Sequence, residues 1–271
     1  MLYVINLPKD LERKEAITLQ LKERNIPFTF IDGITYSNNL GNEHFSNFCN
    51  KYCRKPLKGC ALAHINVWRS FLASPNKIAV VLEDDVILEK DFTKETLNNL
   101  LLYMNQIDYL LIGCMFGCGR NYCYIDKTPM HRFMGVNITT EKVLTPEVYQ
   151  PKFVTGTQCY IISRLGAQIL LDNAKCIKNH IDVHINNLYT SGKLRLATLA
   201  TPLVKNNWGF ESNNASTFKN DVQFCGIPMS YVSTIAIWEL WGYPVSIKNT
   251  AFILIIFLAF VVYVSSPYFR S

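Results

Sequence analysis

Lys77-Ile-Ala-Val-Val-Leu-Glu-Asp-Asp-Val-Ile-Leu-Glu89 sets an aliphatic run against three consecutive carboxylates. Ile78 to Leu82 is the pattern of a strand buried on both faces, as in a sheet covered by helices. Three acids at its end repel one another unless a cation sits among them. In an extended chain Glu83 and Asp85 project to one side and Asp84 to the other. The expectation is a hard oxygen site in which Glu83 and Asp85 hold Mg²⁺ or Mn²⁺, an ion suited to bridging a diphosphate and steadying it as a leaving group. The bland alternative is that the acids merely solubilise a strand end.

Upstream, Leu2 to Asn6 reads as a strand and Phe28 to Asp32 as another. Between them Pro8 to Arg24 carries Leu11, Ile17 and Leu21 at helical spacing. A β-α-β start implies a parallel sheet with right-handed crossovers and a ligand crevice at the strands' carboxyl ends, where Asn6 and Asp32 are expected. Thr35 to Pro56 has no period and reads as a loop. Gly59 to Leu72 reads as a helix with Cys60, His64, Trp68 and Phe71 along one side, which brings His64 to the same edge as a candidate catalytic residue or a satisfied core histidine. Thr93 to Tyr103 is a further helix capped by Thr93, and Asp108 to Gly113 a further strand. The fold class is α/β, with a mostly parallel twisted sheet flanked by helices.

Between Cys114 and Lys152 no period survives, and an irregular excursion over a substrate is expected. Phe153 to Ser163 is strand-like and Arg164 to Leu171 a helix capped by Ser163. Ile181 to Tyr189 is a short helix with Asp182 at its electropositive start, and Leu194 to Leu199 a last strand. There is no G-x-x-x-x-G-K-S/T loop and no G-x-G-x-x-G after the first strand, which argues against P-loop ATPases and dinucleotide folds.

With 271 residues, 49% of them hydrophobic, the chain can bury a full core, which excludes disorder. A net charge of +6 with no Lys/Arg run argues against nucleic acid as partner. The start lacks a secretory leader, so the nine cysteines point to a reducing compartment. Neither Cys49/Cys53/Cys60 nor Cys114/Cys118/Cys123 has zinc-site spacing. The sequons at Asn137 and Asn214 carry weight only in the secretory pathway. Ala251 to Phe269 is free of charged residues, long enough to cross a bilayer, and edged by Lys248 and Arg270. The expectation is therefore a catalytic domain over 1–225, an amphipathic or linker segment over 226–248, with Tyr231 to Trp241 a membrane-surface helix, and a transmembrane helix over 249–269. That helix would be a tail anchor, leaving the domain on the cytosolic side of a membrane.

Taken in order, Val4-Ile-Asn-Leu-Pro-Lys-Asp-Leu-Glu-Arg-Lys14, Gly59-Cys-Ala-Leu-Ala-His64, Val81-Leu-Glu-Asp-Asp-Val86, Gly156-Thr-Gln-Cys-Tyr160 and Asp182 resemble the glycosyltransferase family 25 proteins, over about residues 1–200. That family includes bacterial lipooligosaccharide galactosyl- and glucosyltransferases and collagen hydroxylysine galactosyltransferases. The resemblance implies a GT-A-like fold, a UDP-sugar donor and a divalent metal. It also implies transfer with inversion to a hydroxyl of a glycan, glycolipid or modified protein. It places Val4, Asn6, Leu7 and Arg13 at the nucleotide end, and Glu83, Asp84 and Asp85 at the metal. Gly156, Thr157 and Gln158 fall beside sugar and acceptor, His64 in a family motif, and Asp182 in the role of general base. Ala63 departs from the family, which usually has Ser before the His. Two other classes are a non-catalytic glycan- or nucleotide-sugar-binding protein and a metal-dependent nucleotidyltransferase; the latter should carry a glycine-rich loop that Pro8-Lys-Asp-Leu-Glu-Arg13 lacks.

Overall fold

The computed structural model describes residues 1–37, 39–115, 118, 137–207 and 209–210, and beyond these the strand segments 223–224, 227–228, 236–240 and 243–246 and a helical stretch 254–259. The chain opens as expected. β1 (Leu2–Asn6) and β2 (Thr29–Asp32) pair in parallel, from Tyr3 opposite Thr29 to Asn6 opposite Asp32, with α1 (Leu11–Glu23) as the crossover. The helix buries Arg13, Ile17 and Leu21, a four-residue stripe. Leu11, expected on that stripe, is exposed, and the buried place near the site goes to an arginine.

The stretch read as a loop contains α2 (Asn47–Tyr52), capped by Ser46, whose hydroxyl accepts from the Cys49 N–H. α3 (Lys55–Ala73) starts earlier than the periodicity suggests, because Pro56 suits a first helical turn. Gly59 has a packing reason: the Ile34 carbonyl oxygen lies where a Cβ would stand. β3 (Ile78–Glu83), β4 (Val86–Leu88), α4 (Lys94–Leu100) and β5 (Tyr109–Gly113) follow, and Thr93 caps α4 by accepting from the Thr96 N–H.

β6 (Lys142–Val143) and β7 (Val148–Gln150) form a hairpin inside the stretch read as irregular; residues 116–117 and 119–136 of it lie outside the described residues. β8 (Cys159–Ser163), α5 (Arg164–Asn173), α6 (Ile181–Thr190), β9 (Leu196–Leu199) and β10 (Val204–Asn206) complete the domain, with Ser163 capping α5. The main sheet runs β2-β1-β3-β8-β5-β9-β7-β6. Its two faces are buried separately. Tyr3, Val81, Tyr109, Leu111 and Tyr160 pack under α3, α5 and α6, whereas Val4, Val80, Leu82, Leu110 and Ile161 pack under α1 and α4.

Two expectations are corrected. The sheet is mixed rather than mostly parallel: β1–β2, β1–β3 and β5–β9 are parallel, while β3–β8, β5–β8, β7–β9 and β6–β7 are antiparallel. Aliphatic runs buried on both faces look the same in either direction, so β8 entered the reading without its polarity.

The C-terminal transmembrane helix is the second correction. Among the described residues no helix is long and apolar enough to cross a membrane, and of 249–269 only 254–259 are described, as a helix of six residues. At 1.5 Å per residue that is about 9 Å against roughly 30 Å of hydrocarbon. The tail anchor, the membrane as partner through this helix and the cytosolic-face localisation are withdrawn with it. Nor is the described part of Tyr231 to Trp241 helical: β13 (Ala236–Leu240) pairs antiparallel with β14 (Tyr243–Ser246), while β11 (Gln223–Phe224) pairs with β12 (Ile227–Pro228). Ile237 and Trp238 suit a strand, and Gly242 stands between the two partners in the sequence. Cys49–Cys53 and Cys114–Cys118 are disulfides.

Candidate active site

β1 and β3 lie side by side in parallel, so their carboxyl ends open on one edge. β8 runs the other way, which brings its lead-in loop to that edge: Cys159 sits opposite Leu82, and the Glu83 N–H donates to the Gln158 carbonyl at 2.9 Å. A cleft of about 280 Å³ opens here, lined by Glu83, Asp84 and Asp85 together with Arg13, His64 and Tyr36.

The acids do not alternate as an extended chain would have them. β3 ends at Glu83 and the chain bends through Asp84 and Asp85, so one guanidinium reaches both: Arg13 donates to Asp84 at 3.2 Å and to Asp85 at 3.0 Å. Asn6 donates its side-chain N–H to Asp84 at 2.6 Å. Burial raises the Asp84 carboxyl, with Asn6 and Arg13 pulling against it. Asp85 is raised further, to about 7, by burial and then by the charge of Glu83, with Arg13 opposing.

Glu83 goes the other way. Burial works to raise it, but its contact with His64, the hydrogen bond from the Thr157 hydroxyl at 2.5 Å and the charge of Arg13 outweigh burial and hold it below the ordinary carboxylate value. Residues two apart in sequence are thus shifted in opposite directions, Glu83 down and Asp85 up.

His64 is 1% exposed and both ring nitrogens are engaged, Nδ1 with the Tyr160 hydroxyl at 3.0 Å and Nε2 with Glu83 at 3.4 Å. One of its ring nitrogens, the Cys60 sulfur and a Glu83 carboxylate oxygen lie within 4.8 Å of one another, the one such potential metal-ligating group found among the described residues. Burial, with the charges of Glu83, Asp182 and Asp85, pushes the Cys60 thiol well up, which opposes the thiolate a soft metal needs. Carboxylate oxygens, unlike a thiol, suit a hard divalent ion.

Of the other residues singled out in sequence, Leu7 lines the cleft, whereas Asn6 lies behind Asp84 as its hydrogen-bond donor. Val4 is fully buried in the core and Asp32 is exposed; neither lines the cleft. Gly156 takes φ +96°, a left-handed conformation that suits glycine, and its N–H donates to Asp182 at 2.7 Å. The other Asp182 oxygen accepts from the Val183 N–H at 2.7 Å. Gln158 is 5% exposed, and among the described residues its side-chain oxygen accepts no hydrogen bond. Sequence reading did not pick out Lys9, Tyr36 and Lys55, which line the cleft from loops and a helix start. Their only signal was a basic or aromatic residue just after a strand or before a helix. Trp68, which holds His64 from behind, was visible only as helical periodicity, and Tyr160 only as the end of a motif.

Among known proteins, the chain is similar to the lipooligosaccharide biosynthesis protein lic2B of Haemophilus influenzae, 27% identical over 34% of this chain and 36% of that one. It is also similar to procollagen galactosyltransferase 1-B of Xenopus laevis, 30% identical over 63% of this chain and 28% of that one. The chain therefore matches about a third of the length of either relative. Among solved structures, a UDP-glucose pyrophosphorylase complexed with UDP-glucose aligns over 73% of this chain and 71% of that one, at 11% identity and a TM-score of 0.36, too distant to bear on function. Residues 1–185 match the model of "Glycosyltransferase family 25 (LPS biosynthesis protein)". With that match spanning the β-α-β start, the acids and the segment before β8, the chain belongs to glycosyltransferase family 25.

Proposed function

We propose that the protein is a metal-dependent inverting glycosyltransferase that moves a hexose, galactose or glucose, from a UDP-sugar to a hydroxyl of a glycan, a glycolipid or a modified protein side chain. The observation that carries this reading is the convergence of three carboxylates on one cleft at the carboxyl ends of parallel strands, with a single guanidinium shared between two of them. That cluster holds surplus negative charge, and the raised Asp85 carboxyl marks where a cation would replace a proton. Glu83 and Asp85 would hold Mn²⁺ or Mg²⁺. Once bound, the ion supplies Lewis-acid stabilisation of the departing diphosphate.

The protein's own groups do the rest. Arg13, Lys9 and Lys55 line the cleft and offer positive charge to a diphosphate. Thr157 holds the Glu83 carboxylate, and Asn6 holds Asp84. Asp182, at the first turn of α6, serves on this reading as the general base. It takes the proton of the acceptor hydroxyl as that oxygen bonds to C1 of the sugar and the C1–O bond electrons leave with UDP. No covalent enzyme intermediate is needed for inversion.

The test is release of free UDP from a panel of UDP-sugars by the purified chain, with Mn²⁺, Mg²⁺ or EDTA, beside Asp85→Ala. Hydrolysis of one donor, dependent on metal and lost in the variant, is expected. If no donor is hydrolysed and titration calorimetry finds no metal-dependent donor binding, the reading is wrong.

A further inference from the structure

Behind Glu83 lies a chain of buried polar groups that the proposed chemistry does not use. Trp68 donates its indole N–H to the Tyr160 hydroxyl at 2.9 Å. That hydroxyl lies 3.0 Å from His64 Nδ1, and His64 Nε2 lies 3.4 Å from Glu83. Trp68 and Tyr160 are both fully buried, and Tyr160 stacks on Tyr109 with ring centroids 4.4 Å apart, which fixes its plane.

Hydrogen-bond chemistry gives this chain a direction. An indole N–H only donates, so the Tyr160 oxygen must accept from Trp68. The Tyr160 hydroxyl proton then needs an acceptor in a site closed to water, and His64 Nδ1 is the acceptor within reach. A ring whose Nδ1 accepts carries its proton on Nε2, and that proton faces Glu83. With the ring flipped to the other tautomer, two donors would meet at Tyr160, its own proton would be buried unpaired, and a bare nitrogen would face a carboxylate. Buried groups left unpaired in this way are costly.

We propose that Trp68 and Tyr160 are positioning residues that lock His64 as its Nε2–H tautomer, so that His64 donates to Glu83 and holds that carboxylate aimed into the cleft. His64 is on this account a donor to a ligand rather than a metal ligand itself, and Cys60 beside it remains a thiol. The inference rests on the reading of Glu83 as part of the cation site; the tautomer itself can be read without any donor sugar.

The experiment uses the full chain with ¹⁵N-labelled histidine. Long-range ¹⁵N–¹H correlation spectra show which ring nitrogen carries the proton, and His64→Asn identifies the resonance among the five histidines. The wild type should show the Nε2–H tautomer alone. Tyr160→Phe, which keeps the ring and its stack, should bring in an Nδ1–H population and weaken Mn²⁺ binding by about 10-fold in calorimetry, the usual lower bound for losing a partner behind a metal ligand. Trp68→Phe should give a smaller change of the same kind. A wild-type ring protonated on Nδ1 overturns the proposal, as does a Tyr160→Phe protein with unchanged tautomer or unchanged Mn²⁺ affinity. Loss of the Nε2 proton on titrating Zn²⁺ also overturns it, since His64 would then be a ligand. If Tyr160→Phe does not fold, the wild-type spectrum and Trp68→Phe decide. Failure of UDP release would remove the transferase reading and leave the tautomer result standing.

Discussion

Two acid–arginine groups occupy opposite rims of the same sheet. At the rim where β5 begins, Asp108, with a side chain 2% exposed, accepts from the Arg195 guanidinium at 2.9 and 2.7 Å and from the Arg195 backbone N–H at 3.1 Å. One charge meets one charge, and the pair ties β5 to the segment leading into β9. At the other rim Arg13 faces Asp84 and Asp85 with Glu83 close by, three acids to one guanidinium. The balanced pair is finished as it stands. On the proposed reading the unbalanced group keeps charge for a ligand ion, and that difference would separate a fastening from a site.

The sharpest way to break the contrast is Asp85→Ala. It should lower metal-dependent donor hydrolysis by about 1000-fold, roughly 4 kcal/mol of transition-state stabilisation, while the thermal midpoint of the metal-free protein stays unchanged or rises. A loss of activity that only tracks unfolding would reduce the acids to architecture. Next in size is Arg13→Met, which takes the guanidinium from Asp84 and Asp85 and should cost about 3 kcal/mol in urea unfolding without divalent ions. Mn²⁺ should recover part of that loss; no recovery would mean that the ion binds elsewhere.

The third prediction concerns pH. Asp85 titrates at about 7 in the fold, against about 3.9 in an unfolded chain. Between those values the folded protein keeps a proton that the unfolded chain releases. Its contribution to stability is therefore fully present below about pH 4 and lost as pH rises to about 7. The metal-free wild type should lose thermal midpoint over that range relative to Asp85→Asn, and saturating Mn²⁺ should flatten the difference. Glu83, lowered, has the opposite sign at the acidic end, which is why the comparison with Asp85→Asn matters. Smallest is Asp108→Asn. Arg195 is half exposed, so the loss should be about 1–2 kcal/mol, with donor hydrolysis per folded molecule unchanged. A change in metal affinity there would show that the two rims are coupled.

Much of the first half of the domain was legible, because β1, α1, β2 and β3 each follow a single period and Thr93 and Ser163 announce their helices as caps. Direction was not: the aliphatic run of β8 shows that both faces are covered and says nothing of which way the strand runs. The acids were legible as a group but not in their geometry, since alternation stops where β3 ends, at Glu83. Arg13 was expected at the nucleotide end, but its two acid partners, about seventy residues away, lie beyond any local pattern. Hydropathy counted apolar residues from Ala251 onward as a membrane span, whereas the helix described there has six residues, 254–259. His64 was weighed as a catalyst or a satisfied core residue, and its hydrogen bonds to Tyr160 and Glu83 show why the two were hard to separate.

The reversed β8 has one more consequence. Gly113 at the end of β5 sits beside Cys159 at the start of β8, and the Met115 N–H donates to the Thr155 carbonyl at 2.9 Å. The chain leaves β5 and enters β8 at neighbouring points on the rim that holds the acids, and between them the β6–β7 hairpin joins the same sheet beside β9. Residues added or removed in the connections of this stretch change the path between two fixed ends, while the register of β3, β5 and β8 stays as it is.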